Sequence, residues 1–248
     1  MSIHIIDCAP MKPYYPHWEV GTPCLLVETD QGPVLIDTGL GTHDFEAATP
    51  LIKFFKASLR FKGMQQAAAV NQVSQLGYLP QQIGHIILTH LHFDHAGGLA
   101  DFPHAQVHLH RSELDAMYHP GSWRDLGYHR FDVAHGPCWA LYDQINTNWL
   151  GFDAIRLPFN PEICLIPLFG HTRGHCGVAV QTSTGWVLQC GDSIPINAEF
   201  DITPAWLNRM ALGDHGPRLQ AWAVQHPEVQ LLAGHMWRSF FETGPVKI

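Results

Sequence analysis

The sequence carries little charge, and most of that charge is negative. Asp, Glu, Lys and Arg make up 15% of the 248 residues, and the formal net charge is -8. Average globular chains contain about 25% charged residues, so this chain is expected to bury a large fraction of itself. It also lacks the broad basic surface that nucleic-acid-binding proteins use, and no nucleic-acid partner is expected.

Long apolar runs and closely paired cysteines are missing as well. No stretch approaches the roughly 18 uninterrupted apolar residues of a membrane-spanning helix, so no membrane partner is expected. Residues 1–7 contain no basic segment and no long apolar run, which argues against a signal peptide. The six cysteines are scattered without a C-x-x-C pair, as is typical of reduced thiols in a cytoplasmic protein.

Histidine, in contrast, is abundant and concentrated in one short stretch. His90, His92, Asp94 and His95 lie within six residues, directly after the apolar run 86–88. Alternate side chains of an extended chain share a face, so His90 and His92 are expected to point the same way. Imidazole nitrogens and carboxylate oxygens are ligands of zinc and similar metals, and a metal holds crowded histidines in their neutral form. The stretch therefore predicts a metal site.

Apolar runs and turn signals along the chain predict an α/β protein with a single domain over residues 1–248. Strands are predicted at 3–8, 24–29, 33–37, 84–89, 106–110, 163–168, 177–182, 185–190 and 229–233. Helices are predicted within 44–77, over 113–118 with Ser112 as N-cap, and over 217–225. Residues 119–161 are rich in aromatics and are predicted to form an irregular insert that serves as a lid or a partner surface.

Five of the apolar runs stop at a polar residue beside a glycine or a tight turn. Strand ends at one edge of an α/β sheet converge on one crevice, so the polar residues that follow are expected to meet there. The residues collected in this way are His90, His92, Asp94, His95, His171, Asp192 and His235. Seven donors are too many for one tetrahedral metal, and the set predicts two metals that share a carboxylate. His108 and His110 are interpreted as non-ligands.

These motifs resemble those of the metallo-β-lactamase superfamily. His-x-His-x-Asp-His at 90–95, Gly-His-Thr-x-Gly-His at 170–175, Gly-Asp at 191–192 and Gly-His at 234–235 occur in that family's order and approximate spacing. The resemblance implies a four-layer αβ/βα sandwich. It implies one metal on His90, His92 and His171, a second on Asp94, His95 and His235, and Asp192 as the bridge. Asp37 and His175 would lie next to the ligands, with Asp37 orienting one of them.

Within the superfamily, residues 90–98 are most similar to the N-acyl homoserine lactonases and related lactone or ester hydrolases. The implied cofactors are two divalent ions, zinc or else iron or manganese, which make hydroxide available near neutral pH. Asp94 and Asp192 are the implied catalytic residues, with Asp94 as a proton shuttle. Pro195 stands where those lactonases carry a tyrosine that helps to activate the carbonyl, and Tyr128 and Tyr142 are candidates to replace it.

The expected substrate is a small ester or lactone with an apolar part. Phe54, Phe55 and Phe61, together with the aromatic insert, would line an apolar approach to the metals. Three alternatives remain open: a glyoxalase II-like thioester hydrolase, a mononuclear iron dioxygenase acting on persulfides, and a non-enzymatic binding protein on the same scaffold. A homodimer is also left open.

Overall fold

The structure, a computed structural model, describes residues 2–14, 19–45, 50–61, 64–194, 215–241 and 246–247. The strands are β1 (Ile3–Asp7), β2 (Val20–Gly21), β3 (Pro23–Thr29), β4 (Gly32–Ile36), β5 (His85–Ile87), β6 (Gln106–His110), β7 (Cys138–Tyr142), β8 (Thr147–Trp149), β9 (Phe152–Arg156), β10 (Ile163–Pro167), β11 (Cys176–Gln181), β12 (Trp186–Gln189), β13 (Val229–Leu232), β14 (Met236–Trp237) and β15 (Val246–Lys247). The α-helices are α1 (Pro50–Leu59), α2 (Met64–Ala67), α3 (Ala69–Gln75), α4 (Phe93–Ala96), α5 (Arg111–Tyr118) and α6 (His215–Ala223). None of these helices has both the length and the apolar character needed to traverse a lipid bilayer.

The larger sheet has the strand order β15-β1-β3-β4-β5-β6-β7. Its first part, β1, β3 and β4, is antiparallel, whereas β4 through β7 run parallel to one another. Because parallel strands end at the same edge, the segments that follow β4, β5 and β6 all emerge on one side of the sheet.

The second sheet has the order β13-β12-β11-β10-β9-β8. β11 is antiparallel to both β10 and β12, so β10 and β12 run in the same direction. β13 is parallel to β12. The carboxyl ends of β10, β12 and β13 therefore lie at one edge of this sheet.

Side chains alternate between two cores along β3, as the two-residue period of a strand requires. Leu25 and Val27 belong to the core shared with the second sheet, while Leu26 belongs to the core on the opposite face, which includes Val73 of α3. On the second sheet, α6 packs through the buried Leu219. The predicted four-layer sandwich is confirmed.

The predicted N-cap Ser112 is wrong. Helix α5 begins at Arg111, and the N-cap is His110, whose Nδ1 accepts a hydrogen bond from the backbone N–H of Ser112 at 3.3 Å. A histidine ring nitrogen thus replaces the hydroxyl that was expected to cap this helix. The helix predicted at 217–225 lies over His215–Ala223, two residues earlier.

The expectation of an irregular segment is wrong for the second half of residues 119–161. Strand β7 pairs with β6 at an edge of the larger sheet, and β8 and β9 form a hairpin at an edge of the second sheet. Aromatic residues favour strands, so the density of aromatics was compatible with sheet. The role of residues 119–161 as a lid and the single-domain organisation stay predictions.

Candidate metal centre

The parallel strands of the larger sheet bring the first group of donors to its edge. Asp37 directly follows β4, and His90 and His92 lie just beyond β5. His92 has an extended backbone at the N-cap of α4, so the helix begins immediately after it. This start places Asp94 and His95 in the first turn of α4, beside the two histidines that precede it.

The second sheet supplies the remaining donors from its corresponding edge. His171 follows β10, Asp192 lies in the 3-10 turn Gly191–Ser193 after β12, and His235 follows β13. A Cβ atom at Gly234 would overlap the carboxylate of Asp192. The close approach of these two segments therefore depends on glycine at this position.

All seven residues predicted as ligands come together at the junction of the two sheets. They form three groups in which one ligand atom of each residue lies within 4.8 Å of the others: His90, His92 and His171; Asp94, His95 and His235; and His90, His95 and Asp192. The first two groups match the two ligand sets that the family resemblance implies. The third group connects them. Their role as ligands stays a prediction.

Asp192 lies between the two groups, and its two carboxylate oxygens face different histidines. Oδ1 lies 3.4 Å from Nε2 of His95 and 3.7 Å from Nε2 of His235. Oδ2 lies 3.3 Å from Nε2 of His171. Asp94 joins the second group through Oδ2, which lies 3.6 Å from Nε2 of His235.

Burial and neighbouring charges set the protonation of the centre. Burial, together with the neighbouring histidines, lowers the pKa of His90 and His92 well below the ordinary value. Burial would also lower the pKa of His95, but Asp192 and Asp37 outweigh it and raise this pKa well above the ordinary value. Burial would raise the pKa of Asp192, whereas the charges of His171 and His235 hold it well below its usual range.

The ligand atoms are suited to bind a metal because several of them have no hydrogen-bond partner. Among the described residues, Nε2 of His90, Nε2 of His95 and Oδ1 of Asp192 are buried and have no hydrogen-bond partner. The rings of His90 and His95 lie 4.2 Å apart, between centroids. Buried polar atoms without partners are costly, and a cation that accepts their lone pairs would remove that cost.

Comparison with known protein families identifies the family to which this chain belongs. The model of the metallo-β-lactamase superfamily matches residues 17–235. The chain belongs to the metallo-β-lactamase superfamily. A probable metallo-hydrolase of Mycobacterium tuberculosis is 38% identical over 199 residues, which cover 78% of this chain and 62% of that protein. An N-acyl homoserine lactonase of Bacillus thuringiensis is 34% identical over 180 residues, which cover 72% of this chain and 66% of the lactonase.

Solved structures confirm the metallo-β-lactamase fold. The N-acyl homoserine lactone hydrolase with its product N-hexanoyl-L-homoserine bound at the catalytic metal centre superposes with a TM-score of 0.72. The superposition covers 99% of this chain and 98% of the other at 20% identity. The family match and the Bacillus relative confirm the sequence prediction of a superfamily member similar to the lactonase branch.

Two further residues named from the sequence lie against the superfamily's metal centre. Asp37 accepts hydrogen bonds from the backbone N–H of Thr89 at 2.8 Å and from its hydroxyl at 2.9 Å, and its Oδ2 lies 2.9 Å from Nδ1 of His95. His175 is fully buried, and burial lowers its pKa to about 3. Its Nδ1 is 3.2 Å from the hydroxyl of Ser193. Asp37 thus contacts His95, one of the residues predicted as ligands, and the roles of Asp37 and His175 stay predictions.

Sequence reasoning missed Glu113, a fully buried carboxylate in α5. Oε1 accepts hydrogen bonds from the Leu91 backbone N–H and the Tyr128 hydroxyl, both at 3.0 Å. Oε2 accepts from the Thr172 hydroxyl at 2.7 Å and the Gly174 backbone N–H at 3.0 Å. Burial raises the pKa of Glu113, although these four donors act against it. The available signal was its position on the same face as the buried Ala116 and Met117.

The two tyrosines proposed to replace the lactonase tyrosine have other partners. The Tyr128 hydroxyl donates to Glu113, and the Tyr128 ring lies 5.1 Å from that of His92. The Tyr142 hydroxyl hydrogen-bonds to Nδ1 of His108 at 2.9 Å. Pro195, the residue at the lactonase tyrosine position, lies outside the described residues.

Two surfaces lie beside the metal centre. Phe55 and Phe61 pack against Phe93, with ring centroids 5.2 Å and 6.3 Å away, while Phe54 is exposed. A cavity of about 330 Å³ borders the segment that carries His171. Its lining residues are Ser122, Arg124, Asp125, Phe169, Gly170, Thr172 and Arg173.

Proposed function

We propose that the protein is a dinuclear metal-dependent hydrolase that cleaves a carboxylic ester or a lactone. The observation that carries this proposal is the position of Asp192, with one oxygen near His95 and His235 and the other near His171. A carboxylate placed in this way is suited to bridge two ions, and a histidine-rich group stands ready on each side of it. The chain spans 62% of the length of its mycobacterial relative and 66% of the lactonase, so this activity is assigned to the chain as a proposal.

The two ions, zinc first or else iron or manganese, would lower the pKa of a water molecule and polarise the substrate carbonyl. Asp94, whose side chain is 14% exposed, can accept a proton at the carboxylate oxygen that does not bind the metal and pass it to the departing oxygen. Asp37 fixes the ring of His95 through Nδ1, so that Nε2 faces the centre. Glu113 holds the segments around Leu91 and Thr172 in register, and thereby positions His92 and His171.

The substrate class is proposed from the surroundings of the centre and from the relatives. Phe54, which is exposed and packs on Phe55, offers an apolar surface for an acyl or aromatic group. The names of the Bacillus relative and of the product-bound hydrolase support a lactone. Pro195 replaces a carbonyl-binding tyrosine, and the hydroxyls of Tyr128 and Tyr142 are engaged elsewhere. Losing one such donor costs on the order of 10² to 10³ in rate, so acyl homoserine lactones should react more slowly than activated esters.

The test is kcat/KM of the zinc-loaded protein for three substrates: an aryl ester, a long-chain acyl homoserine lactone and a glutathione thioester. The expected order is ester first, lactone second and thioester last. Highest activity toward the glutathione thioester would favour the glyoxalase II-like alternative. Hydrolysis of none of the three would favour a non-enzymatic role.

Asp192 and His175 provide the second test, because only Asp192 is proposed as a ligand. Asp192→Ala removes a ligand from both ions, and we expect loss of the metal pair and a fall in kcat by orders of magnitude. His175→Ala should retain more metal, because His175 contacts Ser193 and lies beside the ligands. Elemental analysis of both variants measures the difference. Greater metal loss from the His175 variant would contradict the ligand assignment, and full activity with a single iron would favour the persulfide dioxygenase.

The oligomeric state is a separate prediction. A homodimer, which the sequence left open, would be tested by light scattering of the purified protein across a range of concentrations. A mass equal to that of one chain at every concentration would contradict it.

A further inference from the structure

A second cluster of side chains that could hold a metal ion lies outside the centre described above. His43, Asp44 and Asp132 each offer one ligand atom, and these atoms lie within 4.8 Å of one another. None of the three belongs to the donor groups around Asp192. His43 and Asp44 lie in the 3-10 turn His43–Phe45, and Asp132 lies in the 3-10 turn Arg130–Val133.

The cluster places two carboxylates in the protein interior. Asp132 is 0% exposed and Asp44 is 2% exposed. Among the described residues, Oδ2 of Asp132 and Nε2 of His43 are buried and have no hydrogen-bond partner. Two buried carboxylates near each other repel, and leaving one of their oxygens without a partner adds a further cost. A cation among these atoms would remove both penalties.

The side chains are held so that ligand atoms converge. Oδ1 of Asp132 lies 2.6 Å from Nδ1 of His129, which fixes the carboxylate and leaves Oδ2 for the cluster. Oδ2 of Asp44 accepts a hydrogen bond from the Gly41 backbone N–H at 2.9 Å. Oδ1 of Asp44 faces Nε2 of His43 at 3.9 Å. Tetrahedral ligands about 2.0–2.2 Å from zinc lie about 3.4 Å apart, so ligand atoms that now lie within 4.8 Å of one another would move closer when the ion binds.

From this arrangement we infer that His43, Asp44 and Asp132 form a third metal site, which binds one divalent first-row cation. The two carboxylates balance the two positive charges of such an ion, and the imidazole of His43 supplies a nitrogen ligand. One nitrogen and two oxygen donors suit zinc or manganese. The ion would tie the segment 41–45 to the segment 129–132. The latter directly follows Tyr128, whose ring packs on His92.

The experiment is a metal count on the full chain, dialysed against zinc or manganese and analysed by mass spectrometry of the elements. The wild type is expected to hold three ions per chain. His43→Ala and Asp132→Asn should each hold two. Asp101→Asn serves as the matched control, because Asp101 anchors the same loop through the Thr42 backbone N–H without joining the cluster, and it should hold three. Asp192→Ala, which affects only the pair, should keep the third ion.

Two outcomes would overturn the inference. One is a wild type that holds no more ions in excess metal than His43→Ala and Asp132→Asn, which would mean that these residues bind no ion. The other is loss of an ion from Asp101→Asn that matches the loss from His43→Ala. If the cluster variants do not fold, the wild-type count decides alone. Substitutions at His43 or Asp132 should leave the two ions near Asp192 in place. Failure of the third site is therefore distinct from failure of the proposed hydrolase.

Discussion

The carboxylate of Glu113 joins two loops that come from different sheets. Its Oε1 binds the backbone N–H of Leu91, which lies between His90 and His92, and its Oε2 binds Thr172 and Gly174, which follow His171. Four hydrogen-bond donors surround this buried carboxylate, two at each oxygen. A donor group in place of either oxygen would therefore clash with two other donors. This residue therefore determines how the two histidine loops meet.

Glu113→Gln should destabilise the protein and weaken metal binding. The new NH₂ group would face two donors at whichever end it occupies, which costs about 1–3 kcal/mol of unfolding free energy. Because the loops of His92 and His171 would shift, metal affinity should fall about 10- to 100-fold. Urea unfolding and competition with a chelator measure the two effects. Asp115→Asn, an exposed change in the same helix, is the control, and equal effects of both substitutions would contradict the assigned role.

At this scale the sequence predicted the residues that converge but missed those that brace them. His90, His92, His171, Asp192 and His235 were named because each follows an apolar run at a turn, and the structure brings them together. Glu113 was missed because a glutamate in a short helix is most often solvated. Its shared helix face with Ala116 and Met117 was a weak signal, and the tertiary contacts with Leu91 and Thr172 show why it is buried.

Among the secondary-structure elements, β5, β6 and β7 are linked by a chain of polar side chains inside the larger sheet. Nε2 of His108 lies 3.1 Å from Nδ1 of His85, and Nδ1 of His108 lies 2.9 Å from the Tyr142 hydroxyl. His108 is only 2% exposed, and burial, with a smaller contribution from His85, lowers its pKa to about 4. The interpretation of His108 as a non-ligand agrees with this position, away from the donor groups around Asp192.

The low pKa of His108 predicts a loss of stability in mild acid. The unfolded chain binds a proton at His108 below about pH 6.5, whereas the folded chain resists it until about pH 4, so stability is lost as the pH falls through that window. From about pH 7.5 to about pH 5, protonation of His108 in the unfolded chain lowers the free energy of unfolding by about 2 kcal/mol. His108→Leu has no titrating group at this position, so the variant should lose less stability on acidification. Urea unfolding of protein treated with a chelator measures this loss. An equal loss of unfolding free energy in wild type and variant would contradict this prediction.

The strands β7, β8 and β9 show why the prediction failed at this scale. The sequence analysis predicted an irregular insert because the segment is rich in aromatics. In the structure β7 and β8 lie at the edges of the two sheets, and β9 lies next to β8. The central strands, such as β3 and β10, are buried on both faces and were predicted within a residue or two.

For the whole molecule, the metal centre lies between two halves that each supply part of every ligand group. The first group takes His90 and His92 from the larger sheet and His171 from the second sheet. The second group takes Asp94 and His95 from the larger sheet and His235 from the second. This division could be predicted from strand ends and motif order. The cluster of His43, Asp44 and Asp132 could not, because His43 and Asp132 are far apart in sequence and follow no motif.

Because each ligand group spans both halves, bound metal should crosslink the sandwich and raise its thermal stability. An ion present at about 1,000 times its Kd contributes about 4 kcal/mol, which corresponds to about 10 °C in Tm for a chain of this size. Calorimetry of the wild type before and after chelation would measure the shift. Asp192→Ala should respond much less, and any response it retains would come from the cluster of His43, Asp44 and Asp132. Equal shifts in the wild type and in Asp192→Ala would show that metal bound near Asp192 does not hold the two sheets together.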